Sequence, residues 1–432
     1  MTKHDPRPIE LDGRTGEGGG QLVRVACALA AVTTQPIRIT HVRGNRGEGG
    51  PRGGGLKSQH VTALEYLAQA TNADTDGLAV GSQTLEFRPR HGPAAVRERV
   101  IAISADSPAA STLLIFQAVF PFLLFAGNDK GEPIELEISG GTNVAWSLSF
   151  EYLDQVLLPA LEDAFGIRVE RTLLSRGWSL GKASRGKVAF RFTPVKLGET
   201  IKMREDSTYA RGGVKAESGD VEEVDVSMIV PAGMHESLTE SLVTNLEALF
   251  PGAEVNFKVI EDSGADSRIY VLLVAKSGSV RWGRDILDST PKANGKGKGR
   301  TQTTSLLSET ISRRVSKELY EEVSTGGAVD EFLQDQLVIF QALAEGRTSF
   351  RRSSSDEDGS NGTLEGAMKI LAIGDERRMR RDKTDQPFGE GSLHTTTARW
   401  VTAQLLPGVA WYNEGTLCEG VGMHMEPAGR TR

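Results

Sequence analysis

Cysteine is scarce in this chain: Cys27 and Cys418 are the two thiols among 432 residues. Two cysteines exclude a disulfide framework and a four-cysteine zinc site, and the pair is expected as reduced thiols of an intracellular protein. An excess of positive charge is also missing, with 50 basic residues against 57 acidic ones. The net charge is −7 at pH 7, which excludes a generally basic nucleic-acid coat but not a local basic patch. Long apolar runs are missing too. The segment Met1-Thr2-Lys3-His4-Asp5-Pro6-Arg7-Pro8 has no signal-peptide core. The most apolar stretch, Ala109 to Gly127, is broken by Gln117 and Pro121. It is too short for a bilayer span, so a buried helix or helix–strand pair is expected there, and no membrane partner. Seven histidines occur without an H-E-x-x-H pattern, and no G-x-S-x-G elbow is present, which removes the common zinc-hydrolase and serine-hydrolase signatures.

Glycine, by contrast, is abundant. There are 49, where average usage of about 7% gives roughly 30. The excess is clustered, so it points to local loops and not to a fibrous repeat. Hydrophobic residues at 38% and charged residues at 25% are those of a folded chain, and the length suggests about two or three domains.

Ile9-Glu10-Leu11 reads as a strand entering the loop Asp12 to Gly20. Gln21 to Thr33 then runs at helical period, with Leu22, Val25, Ala26, Leu29 and Ala30 on one face. A strand at Ile37 to Val42, a second glycine-rich loop at Arg43 to Gly55 and a helix from Ser58 to Ala70 follow. Strand-like pieces at Leu78-Ala79-Val80 and Thr84 to Phe87 close this unit. A related order returns at Ser111 to Phe125, Ile134 to Ser139 and Leu148 to Phe165. Strands alternating with amphipathic helices predict an α/β architecture. From Leu197 the character changes: Glu222 to Ile229, His235 to Phe250, Val255 to Ile260 and Ile269 to Lys276 read as a β-α-β-β unit. The stretch Pro291 to Arg300 has linker composition, and helices resume at Ser308 to Val323 and Val329 to Ala344. Arg351 to Gly362 is low in complexity and predicted to be disordered, and Arg377 to Lys383 is a basic run in a loop.

Three constellations could carry chemistry. Gly16-Glu17-Gly18-Gly19-Gly20-Gln21 lies between a strand and a helix, where free N–H groups and the helix N-terminus favour a phosphate. Gln21 replaces the third glycine of a dinucleotide fingerprint, and no Gly-Lys-Ser/Thr follows. Glu17 would repel a bare phosphate, so it is either a ligand for a bridging divalent cation or a solvated residue in a turn. Next, Arg38, Arg43, Arg46, Arg52 and Lys57 face only Glu48, a local balance of +4 between Ile37 and Lys57. Arginines on a glycine-rich loop suit bidentate phosphate contacts; a solvated charged loop is the plainer alternative. Finally, hydroxyls in Ser392-Leu393-His394-Thr395-Thr396-Thr397 would cap a helix and set His394 at its N-terminal end. There it could serve as nucleophile or base, or simply be a surface histidine. Asp335-Gln336 on the Val329 helix reads as a polar face.

Taken together, these residues resemble the RNA 3′-terminal phosphate cyclases. The matching pieces are Leu11-Asp12-Gly13, Gly16 to Gln21 with Arg24, Arg43 and Arg46, Gln59-His60, Gly81-Ser82-Gln83 and Phe87-Arg88-Pro89. Further along come Gln117-Ala118-Val119 with Pro121, Gly140-Gly141-Thr142, Phe332-Leu333-Gln334-Asp335-Gln336-Leu337 and His394-Thr395. The resemblance spans most of the chain in order. It implies an α/β fold: a large domain of three repeated α/β units, 1–197 and 302–432, with a smaller inserted β-α-β-β-type domain at 198–301 that ends in the basic linker. An added loop or disordered insertion would occupy 351–390.

The resemblance also implies a ligase-type reaction that consumes ATP with Mg²⁺ or Mn²⁺. A histidine takes AMP, AMP passes to an RNA 3′-phosphate, and the 2′-hydroxyl displaces it to leave a 2′,3′-cyclic phosphodiester. His394 matches the adenylylated histidine and Glu17 the metal-binding carboxylate. Arg24, Arg43 and Arg46 match basic residues at the phosphates, and Gln59 a polar neighbour. Gln117, Pro121, Phe332, Leu333, Gln334, Asp335 and Gln336 match adenylate-binding positions. The implied partner is RNA with a 3′-phosphate end, and the implied location is inside the cell, the nucleus ahead of the cytoplasm as the alternative. The alternative is a non-catalytic, cyclase-like ribosome-assembly factor acting in pre-rRNA processing, a branch that lacks the histidine. A nucleotide-binding protein with an unrelated substrate is a third reading.

Departures from the family pattern are local. The arginine loop is longer, at Gly47 to Lys57. Arg176-Gly177-Trp178-Ser179-Leu180-Gly181 stands where the family carries Tyr-Pro-x-Gly-Gly-Gly, Ser107 to Thr112 departs from the usual Gly/Ser turn, and Ala398 stands where Asn is common. With phosphates gripped mainly by the local cluster Arg43, Arg46, Arg52 and Lys57, and with Glu48 and a net charge of −7 against a longer footprint, the chain is expected to recognise the RNA end and not the body of the strand.

Overall fold

The computed structural model describes residues 6–47, 53–211, 221–265, 268–289, 299–352 and 379–426. Residues 291–298 of the linker stretch, 353–362 of the low-complexity run and the start of the basic run at Arg377 lie outside the described residues, as does Arg52.

The first unit is β1 (Ile9–Asp12), α1 (Gly20–Thr33), β2 (Ile37–Thr40), α2 (Ser58–Thr71), β3 (Asp74–Asp76) and β4 (Leu85–Arg88). Its sheet order is β1-β2-β4-β3, with the first pair parallel and the other two antiparallel. The second unit is β5 (Val100–Ser104), α3 (Thr112–Leu124), β6 (Ile134–Gly140), α4 (Phe150–Tyr152), a π-helical turn at Leu153–Leu157, α5 (Leu158–Phe165), β7 (Val169–Ser175) and β8 (Gly186–Phe192). Its order, β5-β6-β8-β7, repeats the same pattern of directions.

The third unit is split. Its first strand is reduced to a parallel bridge between Lys202 and Glu345. Then, after intervening residues, come α8 (Glu331–Leu343), β13 (Glu345–Thr348), α9 (Leu393–Leu405), β14 (Ala410–Tyr412) and β15 (Leu417–Val421). The sheet order β13-β15-β14, extended by that bridge, is the same arrangement a third time.

Between the two parts of the third unit lie β9 (Glu223–Val230), α6 (His235–Leu249), β10 (Glu254–Asp262), β11 (Ile269–Ser277), β12 (Val280–Asp288) and α7 (Gly299–Val323). They form a sheet of order β10-β9-β11-β12. Leu238, Leu242 and Leu246 of α6 pack on one face, together with Ile311, Val315, Leu319 and Val323 of α7. The helix 299–323, grouped by the sequence reading with the large unit, thus buries its apolar stripe in this second core. The opposite face offers Ile229, Tyr270, Leu272 and Val274 to the main core. Two covered faces explain why β11 reads as an unbroken apolar run from Ile269 to Ala275, and why Asp225 and Ser227, which alternate with the apolar residues of β9, are buried as well.

In the main core, α1 is buried along its length from Gln21 to Val32. That marks a central helix wrapped by neighbours on every side; α3 and α9 pack against it. The strands β2 and β6 alternate buried with exposed residues, so these sheets form the outer shell and press one face inward.

Several local expectations are corrected. Leu78-Ala79-Val80 is a turn and not a strand; Gly77 and Gly81 flank it at φ 73° and 87°, and Val80 is 65% exposed. The strands β3, β5, β7, β8, β12, β13, β14 and β15 come in addition to those expected. Helix α7 begins at Gly299, ahead of the expected Ser308.

Candidate active site

The site forms where the N-terminal ends of α1 and α9 meet. After β1, the loop 13–19 turns sharply at Gly16, whose φ of 64° suits glycine, and a Cβ there would lie 2.1 Å from Thr397 Oγ1 of α9. Thr397 Oγ1 in turn accepts the Glu17 amide at 2.9 Å. The glycine-rich loop is therefore fastened to the helix that carries His394. Ser392 caps α9 by accepting the Thr395 amide, and this holds His394 in the first helical turn.

Glu17 is almost wholly buried and His394 is half-exposed. Arg46 pairs with Glu17 Oε1, while Glu17 Oε2 lies 3.8 Å from His394 Nδ1. Both of those atoms are buried without a hydrogen-bond partner. The imidazole thus turns Nδ1 inward to the carboxylate and leaves Nε2 on the open side. Burial, followed by the charges of Arg24 and Arg46, lowers the His394 pKa to about 4, so the ring is neutral at pH 7.

Beside this pair, Arg24 is buried. Its Nε donates to Gln117 Oε1 and its Nη2 to Gln21 Oε1 at 2.7 Å. Burial drops its pKa to about 10 against the raising effect of Asp335, and the guanidinium stays charged. His60 completes the wall. Its Nδ1 accepts the Lys57 amide at 3.0 Å; burial and the neighbouring Arg24, Arg43 and Lys57 push its pKa well below the usual value. A neutral ring whose Nδ1 accepts must carry its proton on Nε2, and that buried Nε2–H has no partner. Gly20, the first residue of α1, leaves the opening: a Cβ there would sit 2.5 Å from Arg24 Nη1 and 2.8 Å from His60 Nε2. Two donors and a helix N-terminus around a space shaped by a glycine form an anion cradle.

Buried polar atoms normally find partners. Among the described residues, the exceptions at this site are Glu17 Oε2, Gln21 Nε2, His60 Nε2, Gln334 Oε1 and His394 Nδ1. Their concentration in one place indicates a site completed by a ligand. Phosphate oxygens fit the donors. A divalent cation fits Glu17 Oε2 as a single protein ligand, with phosphate oxygens and water supplying the rest, the usual habit of Mg²⁺. Among the described residues no cluster of three metal-ligating side chains exists, so the protein would not hold the ion alone.

The other expected residues fall into two groups. Gln117 and Pro121 of α3 line a narrow apolar slot with Leu153, Leu157 and Ile339, and Gln336 of α8 contributes an amide. The slot has room for about 30 Å³, roughly one or two waters. Asp335 accepts from Gln336 Nε2 at 2.6 Å, and burial lifts its pKa to about 7. Gln334 donates to the Phe350 carbonyl and aims its unpartnered Oε1 toward Gly391. Leu333, by contrast, is core, and Phe332 lies beneath the Arg284 guanidinium at 4.5 Å; neither lines the slot. Arg43, at φ 55°, donates to the carbonyls of Gly53 and Gly55. Gln59 stands half-exposed on α2, and it is His60, absent from the candidate residues, that faces the cradle. The Gln59-His60 pair in the sequence was the signal that could have found it.

A family model described as RNA 3′-terminal phosphate cyclase matches residues 15–408. The chain belongs to the RNA 3′-terminal phosphate cyclase family. It is 36% identical over 348 residues to the RNA 3′-terminal phosphate cyclase of Methanosarcina mazei, covering 79% of this chain and 89% of that one. With the protein of that name from Methanosarcina barkeri it shares 32% over 400 residues, 92% and 94% of the two chains. With that from Pyrococcus furiosus it shares 31% over 340 residues, 78% and 87%. The family match begins at residue 15, just before Glu17, and extends past His394, so both sides of the cradle lie within the cyclase region. No helix among the described residues is long and apolar enough to cross a membrane.

Proposed function

We propose that the chain is an ATP-dependent RNA 3′-phosphate cyclase and that His394 carries AMP. The observation behind this reading is the juxtaposition of His394, neutral and turned by Glu17, with the anion cradle of Gly20, Arg24 and His60. With Nδ1 protonated toward Glu17 Oε2, Nε2 offers its lone pair. Nε2 attacks the α-phosphorus of ATP, the bond to the β-phosphate oxygen breaks, and pyrophosphate leaves. An oxygen of the RNA 3′-phosphate then displaces His394 from AMP, forming a 3′–5′ phosphoanhydride between the RNA end and AMP. The vicinal 2′-hydroxyl attacks the terminal phosphorus, releasing its proton and AMP, and the cyclic phosphodiester remains.

Each side chain then has a task. Arg24 and His60 hold phosphate oxygens and stabilise the charge that gathers in the pentavalent transition state. Arg46 fixes the Glu17 carboxylate in position, and Arg43 buttresses the loop beside it. The slot at Gln117, Pro121 and Gln336 takes the adenine base. A divalent cation, when bound by Glu17, neutralises charge on the triphosphate.

Incubation with ATP labelled at the α-phosphate should leave acid-labile label on the protein, and an RNA bearing a 3′-phosphate should be converted to a cyclic end while its 3′-hydroxyl twin is not. If His394→Ala accepts label as readily as the parent, the histidine mechanism is wrong. Binding of pre-rRNA with no turnover of either end would favour the ribosome-assembly reading.

A further inference from the structure

The hairpin that replaces the family's glycine-rich motif lies next to the slot, yet the reaction described above gives it no task. Between Ser175 and Lys187 it carries four basic residues and no acidic one. Arg176 and Lys187 are committed to ion pairs with Glu151, Glu261 and Glu137. Lys182 and Arg185 are exposed and make no ion pair among the described residues. Arg185 leans on Ser104 Oγ and the Asp106 carbonyl. Arg268, from the edge of β11, lies over the Trp178 ring and donates to the Lys182 carbonyl at 2.8 Å. Three cations therefore rim one loop.

The segment 143–146 runs along this hairpin. Asn143 bridges to Trp178, and the Ala145 amide donates to Ser179 Oγ at 3.1 Å. The next residue is Trp146, with 84% of its surface exposed and φ at 67°, a conformation that side chains rarely adopt. On its other side Ser147 Oγ shares a 2.5 Å hydrogen bond with Ser111 Oγ, the N-cap of α3, and Leu148 lines the slot. An indole in this position is held outward by anchors on both flanks and is not an incidental loop residue. From Ser111 to Gln117 is about 9 Å along the helix at 1.5 Å per residue, the rise of roughly two to three stacked nucleotides at about 3.4 Å each.

We propose that Trp146, with Lys182, Arg185 and Arg268, forms a stacking platform for single-stranded RNA, holding a base one to three nucleotides upstream of the terminal phosphate. An exposed aromatic ring beside a basic loop is the chemistry that binds single strands without reading sequence. This inference rests on the functional reading above and extends it from the RNA end to the adjoining nucleotides.

The test uses a ten-nucleotide RNA with a 3′-phosphate and the full-length chain. Trp146→Ala should raise KM for the RNA about 5- to 100-fold, the range typical of losing one base–aromatic stack. The kcat and the ATP-only labelling of the protein should hold, and Trp146→Phe should recover most of the loss. Abasic sites placed one, two and three nucleotides from the end should identify one position where parent and Trp146→Ala proteins become alike. A KM unmoved by Trp146→Ala, or abasic effects that add to it at every position, would overturn the platform while leaving the cyclase reading intact. A parent protein that makes no cyclic end would defeat that reading and this inference together. If Trp146→Ala changes only the mass of the chain in solution, the indole belongs to a protein contact and the inference is wrong.

Discussion

The acid limb of histidine adenylation provides a quantitative test of the site. His394 must be neutral to attack, and an ordinary histidine loses that form near pH 6.5. Here burial and the charges of Arg24 and Arg46 place the change at about 4, so labelling from ATP should persist to about pH 5. Arg46→Gln removes one of those cations and releases Glu17, whose other oxygen lies 3.8 Å from Nδ1. Opposite charges at that distance interact by about 1 kcal/mol in water and about 4 kcal/mol near a protein surface. The half-exposed ring favours the lower part of that range. At about 1.4 kcal/mol per pKa unit, the midpoint should rise to between about 5 and 6. With a midpoint near 6, the neutral fraction at pH 5 falls from about 90% to about 10%. The assay is single-turnover labelling across pH 4 to 8, with each protein normalised to its own rate at pH 7.5. Comparing the two proteins at each pH cancels the nucleotide's own titration. A parent midpoint at 6.5, or a variant midpoint that stays with the parent's, would refute the electrostatic account of His394.

Further outcomes follow from the same geometry. Gly20→Ala places a methyl group between Arg24 Nη1 and His60 Nε2; labelling should fall at least about 100-fold, on the scale of losing an oxyanion donor, with the circular dichroism unchanged. His60→Leu should cut labelling by about 10- to 100-fold and also flatten the acid side of the stability curve. The reason is one of sign: the unfolded histidine binds a proton below about pH 6.5 and the buried one does not, so stability drains as pH falls; a denaturation series from pH 7 to 5 reads this. Asp330 accepts from Tyr152 Oη, the Gly283 amide and the Phe332 and Leu333 amides, joining α8 to α4 and the inserted sheet. Asp330→Ala strands those donors and should cost about 3–5 kcal/mol in chemical unfolding. For RNA binding, about two to four neutralised phosphates imply a salt slope near −1.5 to −3; a slope near −7 on that scale would contradict end recognition.

Much of the site was legible because its motifs are local. A glycine-rich loop between a strand and a helix, a hydroxyl-rich cap before His394 and the order of the remaining motifs are all properties of neighbouring letters. The role of His60 was not legible. It depends on an amide three residues away that fixes the tautomer and on an arginine from another helix that makes an extra charge intolerable. Phe332 and Leu333 shared a motif with Gln334, but the helical turn sends them to the inserted sheet and the core.

For the fold, the alternation of strands and helices, the change of character near Leu197 and the apolar centre of α1 could be read from the letters alone, since these follow from periodicity over a few turns. That three units repeat one sheet order emerged only on folding, because strand pairing joins residues far apart: the first strand of the third unit is a bridge from Lys202 to Glu345 across the entire inserted segment. It also decided the partner of α7, whose stripe of Ile311, Val315, Leu319 and Val323 could face any apolar surface until the inserted sheet presented one. Leu78 to Val80 show the converse. Three apolar letters suggested a strand, but the glycines on either side take left-handed backbone angles, and the chain turns outward before any pairing can form.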